Sequence, residues 1–150
     1  LQSAGNLFLR DDIVIRKLKK IVNKKVDDYK EKYSASIEGV IKRWPMSYDL
    51  YGWVIEIEKE GNLDPHIHKE GWISGSIYMN LPENEGTDEG KLKVGLHGAN
   101  YPDDGKIYQN KIIPIRTGDV VIFPSSLFHE TIPFKINEKR VSFAFDLMPK

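Results

Sequence analysis

The sequence predicts a mainly β domain, an antiparallel double sheet fronted by one α-helix. Three observations predict it: an apolar stripe at helical spacing confined to the front of the chain, apolar alternation at a period of two from Leu50 onward, and a length that suits one core. At 150 residues, with 40% hydrophobic and 29% charged side chains, the chain can bury one real core but not two comfortable ones. A single domain over 1–150 is therefore expected, with a helical front over about 1–45 and a β core over about 50–150.

The front comes first. Between residues 11 and 33, Leu18, Val22, Val26, Tyr29 and Tyr33 recur at steps of three and four, the spacing of one helix face, with Asp11 and Asp12 placed to cap its start. Lys17, Lys19, Lys20, Lys24 and Lys25 interleave with this stripe and are balanced by Asp27, Asp28 and Glu31, which predicts a solvated face rather than a basic patch. Trp44, Pro45, Tyr48 and Tyr51 either seal the helix against the sheet, the favoured reading, or line a substrate groove.

From Leu50 the period is two. Trp53, Ile55 and Ile57 alternate with Val54, Glu56 and Glu58; Ile73, Gly75, Ile77, Met79 and Leu81 alternate with Ser74, Ser76, Tyr78 and Asn80. Further runs are Leu92, Val94 and Leu96, then 112–115, 120–123, and Val141, Phe143, Phe145 and Leu147. These patterns predict about eight short strands separated by Gly and Pro, with no helix between them. The polar stretches 82–90 and 99–105 read as loops, and no repeat or low-complexity tract interrupts the pattern.

Composition narrows the chemistry. The 22 basic and 22 acidic side chains cancel, so no overall field draws the chain to nucleic acid or to an anionic membrane. The longest apolar runs are far shorter than the ~20 residues that cross a bilayer. With no cysteine, disulfides and thiolate metal sites are excluded, leaving any metal to His, Asp and Glu. The start at Leu1, without Met and without a basic segment followed by an apolar one, resembles neither a secretory signal nor a natural N-terminus. The expectation is a cytoplasmic domain taken from a longer chain.

Histidines fall on the strand framework in a suggestive pattern. His66 and His68 are two apart, so on an extended segment both imidazoles project from one face and can share a metal. His129 sits in a later strand-like segment, 128–134. Two ligands from one strand and one from a distant strand would occupy one face of an octahedron and leave the other positions open for oxygen chemistry. On spacing alone, single strand histidines are equally at home as hydrogen-bonded structural residues, and His97, on the opposite parity from the Leu92, Val94, Leu96 stripe and beside Lys93, reads as solvent-facing. Asp64, or Glu70 in His68-Lys69-Glu70, is an alternative source of one ligand; Glu70 adjoins Gly71 in a predicted turn, so His66 and His68 are preferred.

The last strand adds a second group. Arg140 and Ser142 share one face, while Val141, Phe143, Phe145 and Leu147 supply the other. A guanidinium fork beside a hydroxyl suits a terminal carboxylate through bidentate, charge-assisted hydrogen bonds. A surface arginine at a strand edge would explain Arg140 alone, without Ser142.

Taken together, these residues resemble the 2-oxoglutarate and iron(II)-dependent oxygenases, most closely their prolyl-hydroxylase-like branch. The resemblance spans roughly 53–147 and rests on three pieces. Pro65-His66-Ile67-His68 followed by Ser74-Gly75-Ser76-Ile77-Tyr78 is similar to the family's H-x-D/E/H motif and next core strand. Glu89-Gly90-Lys91-Leu92 is similar to its glycine turn. Gly118-Asp119-Val120-Val121-Ile122-Phe123-Pro124, then His129 and Arg140-Val141-Ser142, resembles its distal histidine and R-x-S pair.

The resemblance implies a double-stranded β-helix, or jelly roll, with the helix packed on it. It implies iron(II) held by His66, His68 and His129, with 2-oxoglutarate held by Arg140, Ser142 and Tyr78. The activity implied is a dioxygenase that hydroxylates a small-molecule or peptide substrate with dioxygen, without catalytic residues beyond the metal ligands. Most of the family has Asp or Glu where His68 stands. Trp53 and Trp72 are expected to pack. A cupin-like metalloenzyme that does without 2-oxoglutarate would leave Arg140 and Ser142 unexplained, and a non-catalytic jelly-roll binding module would make the histidines structural or substrate contacts.

Overall fold

The apolar stripe of the front becomes α1 (Ile13–Lys32) in the computed structural model, which describes residues 1–83, 86–98 and 100–150. Asp12 caps it: its Oδ1 accepts from the Ile15 N–H at 2.9 Å, satisfying one of the amides a helix start leaves unpaired. Ile15, Val22 and Val26 are buried, whereas Tyr33, the expected end of the stripe, is a partly exposed C-cap.

The rest of the front is less helical than the sequence suggests. A 3-10 turn (Leu7–Leu9) and a four-residue helix, α2 (Gly39–Lys42), flank α1. Residues 1–3 are extended instead. Gln2 bridges to Ile55 and the Ser3 amide donates to the Val54 carbonyl, so the segment lies along an outer strand and pairs polar groups that a bare edge would leave open.

Among the described residues eight strands follow: β1 (Tyr48–Ile57), β2 (Leu63–His66), β3 (Ile73–Asn80), β4 (Leu92–Gly95), β5 (Asn110–Ile113), β6 (Val120–Pro124), β7 (Phe128–Thr131) and β8 (Arg140–Pro149). They form two four-stranded sheets, β1-β8-β3-β6 and β2-β7-β4-β5, all pairs antiparallel. β1 pairs with β8, β2 with β7, β3 with β6 and β4 with β5, as in one long hairpin whose tip is the β4–β5 connection. Because β8 also pairs with β3 and β7 with β4, that hairpin is wound into a jelly roll.

Three strands end earlier than their apolar runs. Pro114 follows β5 and Pro133 lies just past β7, and neither has an N–H to give to a ladder. β4 stops at Gly95, and Leu96 is left exposed. Of the loops expected at 82–90 and 99–105, residues 84, 85 and 99 lie outside the described residues; the remainder carries no helix or strand. Among the described residues no helix is long and apolar enough to cross a membrane.

The larger sheet has two unlike faces. Ile73 and Ile77 of β3, Phe143, Phe145 and Leu147 of β8, and Leu50 of β1 form one cluster with Phe8, Ile15, Val22 and Val26. The helix therefore covers the apolar parity of the strands. At Gly75 the Phe145 ring fills the space a side chain would need, so the close approach requires glycine. The opposite parity turns toward the smaller sheet. In register across β3 and β8 stand Ser74 with Asp146, Ser76 with Ala144, and Tyr78 with Ser142.

Candidate active site

His66 is the last residue of β2 and pairs in register with His129 of β7, so the two-sheet winding brings side chains from distant segments face to face. His68 lies past the end of β2, where its N–H donates to the Ser125 carbonyl at 3.0 Å. Extended pairing therefore positions His66 and His129, while a turn positions His68. One ligand atom from each of His66, His68 and His129 lies within 4.8 Å of the other two. The ring centroids are 4.2 Å apart for His66–His129, 4.9 Å for His68–His129 and 5.3 Å for His66–His68.

The second nitrogen of each ring is occupied. His66 Nδ1 is 2.7 Å from the Asp64 carbonyl and His129 Nδ1 is 3.1 Å from the Leu127 carbonyl. His68 Nδ1 is 2.7 Å from Asp146 Oδ1. Carbonyl and carboxylate oxygens only accept, so each Nδ1 carries a proton, and in the neutral ring Nε2 keeps its lone pair. Burial lowers the pKa of His66, and burial together with the neighbouring His66 pushes His129 down to about 4. Both are neutral near pH 7, the form that binds a metal. The donor set fits a borderline divalent ion, iron(II) included.

Neither alternative carboxylate joins this cluster. Asp64 is exposed, its side chain accepting from Asn62 Nδ2 at 2.8 Å, and Glu70 is exposed beside the turn at Gly71. The carboxylate that does reach the site is Asp146, which accepts from His68 and, at 2.6 Å, from Ser74 Oγ. The signal for it was present: Arg140, Ser142 and Asp146 share one parity of β8, opposite Phe143, Phe145 and Leu147. A charged residue continuing the polar face of a buried strand marks an inward position.

At the far end of the same strand face stand the other three expected residues. Arg140 is 3% exposed, its Nε donating to the Gly90 carbonyl at 2.9 Å, and its Cζ lies 5.1 Å from the centre of the Tyr78 ring. Among the described residues no carboxylate forms an ion pair with it. Burial raises the pKa of Tyr78, opposed by Arg140 and Ser76 beside its hydroxyl; burial lowers that of Arg140. Ser142 is buried between Ile55 and Tyr78 on the neighbouring strands. The three histidines, Tyr78, Arg140 and Ser142 line one cavity of about 220 Å³. That is below the ~300–1,000 Å³ of drug-sized sites and suits a compact ligand.

The tryptophans divide. Trp72 packs as expected, its Nε1 donating to the Val40 carbonyl at 2.8 Å. Trp53 is buried as expected but packs on the cavity side, its ring 5.6 Å from that of His68, because odd residues of β1 face inward. Tyr51 stands beside it at 5.8 Å, partly exposed, whereas Trp44 and Tyr48 pack against the helix-side cluster. His97 stands outside the triad. It is half-buried rather than solvent-facing, stacked on Tyr108 at 4.9 Å.

Comparison with known proteins agrees with this geometry. The model of the family described as "Putative 2OG-Fe(II) oxygenase" matches residues 51–146, well over half of the chain, and the chain belongs to that family. No curated protein matches it. Among solved structures, a Pseudomonas putida prolyl-4-hydroxylase is similar at 18% identity and a TM-score of 0.52, over 68% of this chain and 52% of that one. HygX from Streptomyces hygroscopicus, with nickel and 2-oxoglutarate bound, is similar at 16% identity and 0.53, over 69% and 58%. An oxidoreductase of the 2OG-Fe(II) oxygenase family from Burkholderia pseudomallei is similar at 16% and 0.50, over 68% and 45%. At these identities the likeness is one of fold, and the chain spans about half the length of these proteins.

Proposed function

We propose that residues 1–150 form one domain that acts as an iron(II)- and 2-oxoglutarate-dependent dioxygenase, hydroxylating a small-molecule or peptide substrate. In this reading His66, His68 and His129 hold the iron through Nε2. Arg140 pairs with the distal carboxylate of 2-oxoglutarate, with Ser142 and the Tyr78 hydroxyl as further hydrogen-bond donors. The bound pair supplies the oxidising chemistry, coupling decarboxylation of the keto acid to succinate with transfer of one oxygen atom from dioxygen to the substrate.

One observation carries the reading: a buried guanidinium without a carboxylate partner among the described residues lines the same cavity as three converging imidazoles. A charge removed from water without a counter-ion is costly, and an anionic ligand facing Arg140 removes that cost. A cupin-like centre would not need the arginine, and a binding module would need neither group. The protein's part is to keep the imidazoles neutral and oriented, to present a two-pronged donor to one carboxylate, and to exclude water from a cavity of small volume. The balanced charge of the chain favours an uncharged or mixed-charge substrate over nucleic acid, and the cytoplasm is the proposed setting.

Anaerobic titration of the metal-free protein with iron(II) and then 2-oxoglutarate tests this. The weak visible charge-transfer band of chelated keto acid should appear, be lost in His129→Ala and be weakened in Arg140→Ala. Iron binding without the band would favour the cupin-like centre, and no iron binding would favour the binding module.

A further inference from the structure

His66 and His129 are each oriented by their own backbone, through a carbonyl two residues earlier. His68 is not. It sits in the connection between β2 and β3, and its Nδ1–H points to Asp146, 78 residues away, at 2.7 Å. We infer that Asp146 is a positioning residue of the metal centre: it fixes the ring and tautomer of His68 and supplies, through that imidazole, the negative charge that an all-histidine ligand set lacks. The inference rests on the reading that the three histidines hold a metal.

Asp146 is built for one orientation. It pairs in register with Ser74, whose Oγ–H donates to Asp146 Oδ1 at 2.6 Å, and Ser125 Oγ is 2.8 Å from Ser74 Oγ. Ser74 and Ser125 are fully buried and Asp146 is 8% exposed. A Cβ at position 71 would meet Ser125 Oγ at 2.6 Å and Asp146 Cγ at 3.5 Å, so glycine there lets the chain close over the group.

Among the described residues, the one basic side chain within ion-pair reach of Asp146 is His68 itself. A neutral imidazole leaves a nearly buried carboxylate uncompensated, whereas a divalent ion on its far nitrogen compensates it across the ring. Carboxylate, imidazole and metal then form a line in which the carboxylate raises the basicity of the ligand. The exposed Asp64 and Glu70 have no access to this position.

Asp146→Asn keeps the shape, with the amide oxygen in the place of Oδ1 to accept from both His68 and Ser74, and removes the charge. Equilibrium binding of iron(II) under anaerobic conditions should weaken by about 10- to 100-fold, with thermal unfolding of the metal-free protein unchanged. In ¹⁵N-labelled wild type loaded with zinc(II), His68 should be the Nδ1–H tautomer, with that proton further downfield than those of His66 and His129, which donate to neutral carbonyls. A folded Asp146→Asn that binds iron(II) as tightly as wild type, or His68 in the Nε2–H form, overturns the inference and leaves the oxygenase reading intact. Wild type that binds neither ion overturns both. Should Asp146→Asn not fold, the wild-type spectrum decides.

Discussion

Strands β3 and β8 each contribute to two surfaces, and the two surfaces follow different rules. On the helix side, Ile73, Ile77, Phe143, Phe145 and Leu147 meet Val22 and Val26 in one hydrophobic cluster. On the inner side, Ser74, Tyr78, Arg140, Ser142 and Asp146 are nearly as buried, yet they present polar groups. Ser74 and His68 hydrogen-bond to Asp146, and Arg140 donates to the Gly90 carbonyl. Among the described residues no carboxylate is paired to Arg140 and no Lys or Arg to Asp146. The first surface holds the domain together by removing hydrocarbon from water. The second does little for stability and presents chemical groups at set positions. Adjacent residues of one strand thus serve a hydrophobic core on one side and a polar cavity on the other.

Variants should separate the two surfaces. The largest effect is expected on the helix side: Phe145→Ala, at a fully buried position, should destabilise the domain by roughly 3–5 kcal/mol, read by chemical denaturation. On the inner side, metal-linked stability is the sharper measure. Iron(II) at a hundredfold excess over its dissociation constant should raise the stability of wild type by about 2.7 kcal/mol. His129→Ala should show no such gain while unfolding normally without metal. A fall in metal-free stability as large as that of Phe145→Ala would break the distinction.

Arg140→Met offers a test in which ligand binding and stability should not fall together. Loss of a charge-assisted pair should weaken 2-oxoglutarate binding by roughly 1.5–3 kcal/mol, measured by calorimetry on the metal-loaded protein. The metal-free melting temperature should be no lower than that of wild type, since a buried charge without a carboxylate partner among the described residues has gone. The smallest effect belongs to the helix start. Asp12→Ala removes the 2.9 Å bond to the Ile15 amide and should cost about 1 kcal/mol with iron affinity unchanged. A change in affinity there would couple the helix to the site.

Much of this was legible in the alternation. The polar parity of the last strand pointed to Arg140 and Ser142, and the same parity reaches Asp146, whose partner His68 lies 78 residues away. Which side Trp53 packs on was not legible for a related reason: alternation separates the two faces of a strand but does not say which one meets a helix. The extended segment 1–3 had no periodic signal, because its pairing with β1 is a property of a strand edge that exists only after folding.

The sequence by itself determined the elements, the class of fold and the residue types available for metal and anion, since side-chain period and ligand chemistry are local properties. Only the tertiary structure decided that His66 would face His129 across β2 and β7, that His68 would be held by Asp146, and that Arg140 would share their cavity. Those relations depend on the register between strands far apart in the chain, and register is set by packing on both faces at once.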